Sequence, residues 1–327
     1  MTAAAARIDA ADVRATLRAA GLRARRSLSQ NFLADPEVLE AILDAATADA
    51  EVADDPGPPG RVLEIGPGLG FLTGGLLAGG ATVTAVELDH GLAAFLQDRF
   101  GEALEAGRLI LIEGDALDQD LRHLVEAPFD VVANLPYHIT SPILHALLGE
   151  APRPRRLVLM VQREVAERIA APPGRMSYLS VFVQYHARVR VAFLVPPTAF
   201  EPAPAVDSAV IVVEPFAADD RLPPDEEDSL WRLVQAAFRE RRKMLHNVLS
   251  RQLPVDGGRV ATALATAGID PDRRPQTLAV GEWLALHAAL GPIREDRRGR
   301  RDERRERADR GAAGEDDDRA DDRDDPG

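Results

Sequence analysis

The chain has 327 residues, 46% of them hydrophobic, with no cysteine and a net charge of −14. That length holds one large domain and a small one, and the lack of cysteine excludes disulfides, thiolate metal sites and cysteine nucleophiles. The acidity argues against broad attraction to a polyanion, so any nucleic-acid contact must come from local basic patches.

Residues 1–13 are Ala-rich but carry Asp9 and Asp12, with neither a basic start before an apolar core nor a membrane-length apolar run. A cytoplasmic protein with no membrane partner is expected. Arg14, Arg18, Arg23, Arg25 and Arg26 form a basic N-terminal arm. Asp35-Pro36 predicts an N-cap followed by proline at the first helical position, and Val38, Leu39, Ile42 and Leu43 mark the buried face of a helix to about Thr47. Residues 54–60 (DDPGPPG) read as a loop. Strand-like runs are expected at 61–65, 82–87, 108–112, 130–133 and 156–161, with helical patterns around 71–78, 91–100, 117–126 and 140–149. This alternation predicts an α/β fold with a parallel, doubly wound sheet. Two further β-rich runs, 181–195 and 208–214, would complete it as an antiparallel edge, faced by proline-rich loops at 172–174 and 196–204.

From residue 217 the pattern is helix only, with helices expected near 226–239, 241–251, 258–267 and 280–290, enough for a small bundle. The expected organisation is therefore a domain over 1–216, a helical domain over 217–292 and a tail over 293–327. Beyond the arm, cations cluster at Arg153, Arg155 and Arg156 and at Arg239, Arg241, Arg242 and Lys243, the last being the one lysine of the chain. In the tail, residues 294–310 carry +3 and residues 311–327 carry −6, which leaves −11 on residues 1–293. The tail is an Arg/Asp/Glu/Gly/Ala mixture after its first residue, cannot bury a core and is expected to be disordered.

Two motifs carry the chemistry. Gly66-x-Gly68-x-Gly70 follows an apolar strand and precedes a helix, and glycines there let the backbone approach a ligand. Phe71 stands where a dehydrogenase fingerprint needs glycine. Glu64, just before the glycines, suits the aminoacyl end of S-adenosylmethionine, directly or through the loop. Glu87 ends the next strand, at a spacing that suits both ribose hydroxyls, and Asp115 ends the third, where it can accept from the cofactor's adenine amino group. Taken singly, each acid reads as a solvated strand end or a helix cap. Three successive strand ends carrying a suitable group point to a nucleoside cofactor.

The fourth strand ends in Asn134-Leu135-Pro136-Tyr137. An exocyclic amine on a base is a poor nucleophile, because its lone pair is delocalised into the ring. Catalysis needs acceptors that hold its two N–H bonds and aim the lone pair at a methyl carbon. The Asn134 side-chain oxygen and the Leu135 carbonyl suit that task, Pro136 fixes the turn, and Tyr137 can stack on the base. A target base in folded RNA must first be unstacked, and Phe200 on its proline-rich loop is a candidate second wall, or else a buried anchor. His138 is read as a structural or RNA-contact residue, and the sulfonium makes a metal unnecessary. Together the two motifs suggest methyl transfer from S-adenosylmethionine to a base nitrogen.

With Ser29-Gln30-Asn31-Phe32-Leu33, EIGPGLG, VELD, GDA, NLPY and Pro204-Ala205-Val206-Asp207-Ser208-Ala209-Val210 in this order, residues 22–290 resemble the ribosomal RNA adenine dimethylases. Phe238–Lys243 and Gly268–Pro271 resemble the small-subunit, kasugamycin-resistance branch more than the macrolide-resistance branch. The resemblance implies a Rossmann-like class I methyltransferase fold of seven strands plus a small C-terminal all-α domain. It also implies S-adenosylmethionine as cofactor, and N6,N6-dimethylation of two adjacent adenosines near the 3′ end of 16S rRNA in the immature 30S subunit. Carried over by motif, cofactor contacts fall on Gln30, Asn31, Leu33, Gly66, Glu87, Asp115 and Asn134, with Glu64 and Gly68 added from the residues themselves. The target base meets Asn134, Leu135, Tyr137 and Phe200. RNA contacts are assigned to Arg23, Arg25, Arg26, Arg239, Arg241, Arg242 and Lys243, and a monomer is expected. Ser29, His138 and Met176–Val181 depart from the family pattern. Two other functions compete: a 23S rRNA methylase conferring macrolide resistance, and a mainly non-catalytic small-subunit assembly factor.

Overall fold

A computed structural model describes residues 10–25, 28, 30–47, 60–217 and 221–293. Arg26, Ser29, most of the 54–60 loop and the tail from 294 lie outside the described residues. The chain divides into two compact units, one of residues 1–221 with 276–280 and the other of residues 222–275 with 281–327. The division thus falls after Arg221, not at the expected 216/217. Phe216 still donates its backbone N–H to His186 O (3.0 Å), and the Arg221 guanidinium bonds Gly149 O (3.2 Å), which ties both to the first unit.

The first unit opens with α1 (Ala10–Ala19), a two-residue strand β1 (Phe32–Leu33) and α2 (Pro36–Thr47). The expected cap is present: Asp35 Oδ1 accepts from the backbone N–H groups of Glu37 and Val38, at 2.9 and 3.2 Å. Next come β2 (Arg61–Ile65), α3 (Phe71–Ala78), β3 (Thr82–Glu87), α4 (His90–Arg99), α5 (Gly101–Glu105) and β4 (Leu109–Glu113). The helix expected over 117–126 is instead two 3-10 turns, Ala116–Asp118 and Leu121–His123. Short acids explain this, since Asp115 accepts from Leu117 N and Asp120 pairs with His123, local bonds that compete with an α-helix.

The unit continues with β5 (Asp130–Asn134), α6 (Thr140–Leu148), β6 (Leu157–Gln162), α7 (Arg163–Ile169), α8 (Tyr178–His186), β7 (Ala187–Val195), β8 (Phe200–Glu201) and β9 (Ser208–Pro215). The β-rich run expected over 181–195 is therefore half helix. A capping box between Ser177 and Ser180 starts α8, and seven of its nine residues are buried. A helix buried nearly all round shows no amphipathic stripe, so its Val and Phe content reads as strand.

The seven-stranded sheet has the order β4-β3-β2-β5-β6-β9-β7. β2 to β6 are parallel, and β9 runs antiparallel between β6 and β7. The central strands are continuous apolar runs because helices cover both faces, and Val62, Leu63, Val131, Val132, Leu157 and Val161 are fully buried. β1 pairs with β8 in a separate ribbon, Leu33 opposite Phe200 and Phe32 opposite Glu201.

The second unit holds α9 (Pro224–Phe238), α10 (Leu245–Gln252), α11 (Gly257–Thr266) and most of α12 (Val280–Leu290). Its core is built on Leu230, Leu233, Leu249, Leu264, Trp283 and Leu286. α10 begins at Leu245 rather than 241, because Met244 is extended (ψ 147°) and Arg241 to Lys243 occupy turns before it. Ile293, assigned to the tail by sequence, is buried and donates its N–H to Ser229 Oγ at 2.8 Å. Among the described residues, no helix is long and apolar enough to cross a membrane.

Candidate functional site

The strand order reverses between β2 and β5, the place where an open α/β sheet forms a crevice at its carboxyl ends. A cleft lies at the ends of β2, β3 and β5. It is lined by every cofactor and target-base candidate: Gln30, Asn31, Leu33, Glu64, Gly66, Gly68, Glu87, Asp115, Asn134, Leu135, Pro136, Tyr137 and Phe200.

The glycine loop supplies the floor. Gly66, Gly68 and Gly70 all have positive φ, at 69°, 59° and 76°, a region that side chains with a Cβ rarely enter. A Cβ on Gly68 would lie 3.2 Å from the Phe32 ring, so the loop and the β1 segment already touch. One on Gly70 would lie 2.5 Å from Phe100.

Three acids ring the floor. Glu87 accepts from Gly68 N (3.0 Å) with one oxygen and from Asp89 N (2.8 Å) with the other. Each oxygen keeps a lone pair for a further donor. Burial raises the Glu87 carboxyl above its ordinary value, against the lowering effect of those N–H groups. Glu64 is almost wholly buried and accepts from Thr73 Oγ1 at 2.7 Å. Burial pushes its pKa up to about 8, the Thr73 bond opposes this, and the nearby Glu87 charge adds to it. Asp115 lines the cleft and accepts from Leu117 N at 2.8 Å with Oδ1, capping the turn. A cationic nucleoside fits this set, since hydroxyl and amino donors meet acceptors and positive charge meets carboxyls.

Leu28 and Gln30–Leu33 form a strap along one side of the cleft. Arg25 pairs with Asp89 at 3.3 Å, Gln30 Nε2 donates to Asp89 Oδ2 (3.1 Å), and Gln30 Oε1 accepts from Arg25 N (2.8 Å). Gln30 therefore holds the strap with both ends of its amide. Leu33 is buried against Phe200, and Ala34 N donates to Ala199 O (2.7 Å). Phe200 is itself buried and also lines the cleft.

In the NLPY turn, Ile139 N donates to Pro136 O (3.1 Å) and Thr140 Oγ1 to Tyr137 O (3.5 Å), which ties both carbonyls into the start of α6. Leu135 N donates to Met160 O (3.1 Å), and the Leu135 carbonyl accepts no hydrogen bond from a described residue. Asn134 Nδ2 donates to Asn31 O at 3.4 Å, so its Oδ1 is not engaged there. Two residues that line the cleft side by side, Asn134 and Leu135, thus each keep an acceptor that no described residue engages.

Two cleft residues escape sequence reading. Leu88 and Leu117 are half exposed at the mouth, beside Glu87 and Asp115, and offer apolar faces to a planar ring. Their only signal is adjacency to those acids. The basic candidates divide. Arg23 and Arg25 are exposed, Arg25 being held by Asp89. In the second unit Arg239 bonds Gln252 Oε1 (3.1 Å), whereas Arg241, Arg242 and Lys243 are exposed without an ion pair among the described residues. Glu240, beside them, is taken by Arg251 at 2.9 Å. The 153–156 cluster faces inward: Arg153 bonds Leu148 O, Arg155 pairs with Asp130 at 2.6 Å, and Arg156 is buried near Glu214.

Comparison with known proteins places residues 21–290 within the family model described as ribosomal RNA adenine dimethylase. The chain is 43% identical over 294 residues to ribosomal RNA small subunit methyltransferase A of Anaeromyxobacter dehalogenans (strain 2CP-C), covering 85% of this chain and 97% of that protein. It is 44% identical over 281 residues to the protein of that name from Synechococcus sp. (strain RCC307), covering 83% and 98%. Among solved structures it resembles a dimethyladenosine transferase from Plasmodium falciparum (TM-score 0.63, 26% identity, 78% of this chain and 95% of that one). It also resembles the 23S rRNA methyltransferase ErmE (TM-score 0.62, 28% identity, 80% and 99%).

Proposed function

The chain belongs to the ribosomal RNA adenine dimethylase family, and from that premise we propose how its residues carry out the reaction. It is an S-adenosylmethionine-dependent rRNA adenine dimethyltransferase of the small-subunit branch. Relatives named for the small subunit are 43–44% identical to it over the 281–294 residues aligned, against 28% for the 23S enzyme over 80% of the chain. The finer reading is dimethylation at N6 of two adjacent adenosines near the 3′ end of 16S rRNA, on the immature 30S subunit, by a cytoplasmic monomer.

Bound S-adenosylmethionine supplies a methyl group activated by its sulfonium charge. Glu87 would accept from the ribose hydroxyls and Asp115 from the adenine amino group, with Leu88 and Leu117 beside that ring. Gly66, Gly68 and Glu64 would hold the aminoacyl end, with Asn31 and Leu33 on the strap. At the other end of the cleft, Asn134 Oδ1 and Leu135 O accept the two N–H bonds of the target amine. Held so, the nitrogen turns toward tetrahedral geometry with its lone pair directed at the methyl carbon. Tyr137 and Phe200 wall the extruded ring, and Pro136 fixes the turn between acceptor and wall. Acceptors set in advance where positive charge develops are worth roughly 10²–10³ in rate each. Arg23, Arg25, Arg241, Arg242 and Lys243 take phosphates, and Arg239 joins them.

The reading is carried by the Leu135 carbonyl, left without a donor in a turn whose next two carbonyls are bonded, beside the Asn134 amide. Its test is mass spectrometry of RNA after incubating immature 30S subunits or 23S RNA with the protein and labelled cofactor. N6,N6-dimethyladenosine is expected in 16S rRNA alone. Asn134→Ala should lower the rate at least 100-fold. Label in 23S RNA alone, or an Asn134→Ala protein at full rate, would overturn the assignment.

A further inference from the structure

Ser208 opens β9 and is fully buried. It heads the run Ala209-Val210-Ile211-Val212-Val213, whose members are all buried apolar residues. A hydroxyl in such a place costs stability unless it is hydrogen-bonded. Its partner is the Tyr137 hydroxyl, 3.0 Å away and 71 residues earlier in the chain. Among the described residues neither hydroxyl has another hydrogen-bond partner.

We propose that Ser208 is a positioning residue for methyl transfer, whose hydroxyl holds the Tyr137 ring in place as a wall of the target-base end of the cleft. The inference rests on the reading of Tyr137 as that wall.

The two partners differ in freedom. Tyr137 is half-buried on the connection between β5 and α6, and rotation about its Cα–Cβ bond would swing the ring out of the cleft. Ser208 cannot move. It stands opposite Gln162 on β6 and opposite Val195 on β7, so strands hold it from both sides. The residue before it is pinned as well: Arg163 N donates to Asp207 O (3.0 Å), and the Arg163 guanidinium lies 3.4 Å from the Asp207 carboxylate. A bond from a fixed point to the para oxygen fixes where the ring axis points. It leaves the ring free to spin about that axis until a base packs on its face. The device therefore removes the costly motion and keeps the adaptable one, which suits a pocket that receives an unmethylated and then a monomethylated adenine.

Tyr137→Phe and Ser208→Ala each delete the bond and keep the ring. Each should lower the single-turnover methylation rate about fivefold, the worth of one neutral hydrogen bond, with cofactor affinity changed less than about twofold. Because the two changes remove one interaction, the double variant should be no slower than the slower single. Ser208→Thr, which keeps the hydroxyl, should recover the rate. Wild-type rates in both singles, or losses that multiply in the double, would overturn the proposal. If Ser208→Ala fails to fold, Tyr137→Phe decides alone, and an unchanged rate sinks it. Tyr137→Ala separates this from the reading beneath it. Full activity there removes the wall itself, whereas an inactive Tyr137→Ala beside a fully active Tyr137→Phe removes only the part assigned to Ser208.

Discussion

Replacing Glu64 by glutamine should make the protein's stability less sensitive to pH, and the size of the effect follows from its burial. The Glu64 carboxyl has an ordinary value of 4.5 and is pushed up to about 8 in the fold, chiefly by loss of water. Below pH 4.5 both folded and unfolded chains hold the proton, so nothing changes. Between 4.5 and about 8 the unfolded chain gives the proton up and the folded chain keeps it. Each pH unit in that window costs the fold about 1.4 kcal/mol. Between pH 5 and 7 the loss is roughly 2–3 kcal/mol, and it levels off once both states are ionised. Glutamine has no proton to exchange and keeps an acceptor for Thr73. Urea unfolding of Glu64→Gln and wild type, measured in parallel from pH 5 to 8, isolates the effect, since titrating groups remote from Glu64 cancel in the difference and Glu87 is the neighbour that does not. The variant should gain on the wild type steadily as pH rises. Parallel stability curves across that range would refute the argument that burial governs this carboxyl.

Gly68→Ala should weaken S-adenosylmethionine binding about tenfold by calorimetry, because alanine is strained at φ 59° and its Cβ would press on Phe32 at 3.2 Å. Unchanged affinity would mean that the glycine serves the turn alone. Replacing Arg241, Arg242 and Lys243 together by glutamine should reduce the slope of log affinity for RNA against log salt by about 2, at roughly 0.7 per phosphate contact. The methylation rate at saturating RNA should be preserved, and an unaltered slope would remove these three from the RNA interface.

Most of the cleft was legible because its chemistry is local. Gly66, Gly68 and Gly70 were found by the need for positive φ at a strand-to-helix turn, and Glu87 and Asp115 by their place at strand ends. Tertiary pairings were not legible. The partnership of Leu33 with Phe200 joins segments far apart in the chain, so Asn31 and Leu33 entered only through family resemblance. Helix α8 reads as strand in the sequence because burial of seven of its nine residues erases the stripe. The arginines at 153–156 and those at 241–243 look alike as sequence. One set meets Asp130, Glu214 and helix-end carbonyls while the other meets solvent, and only the fold decides which.

The place of β9 has a consequence for how the catalytic unit comes together. β7 is synthesised first, yet β9 is its sole neighbour in the sheet and separates it from β6. As the chain emerges, β2 to β6 can zip up in order, each strand finding a finished edge, but β7 has no edge to join until residue 208 and those after it arrive. The last strand to be made is thus the one that closes the interior of the sheet, and it delivers the Tyr137 anchor in the same step. A ribosome-bound fragment ending near residue 200 would own every acid of the nucleoside half and still lack the strand that seats the aromatic wall.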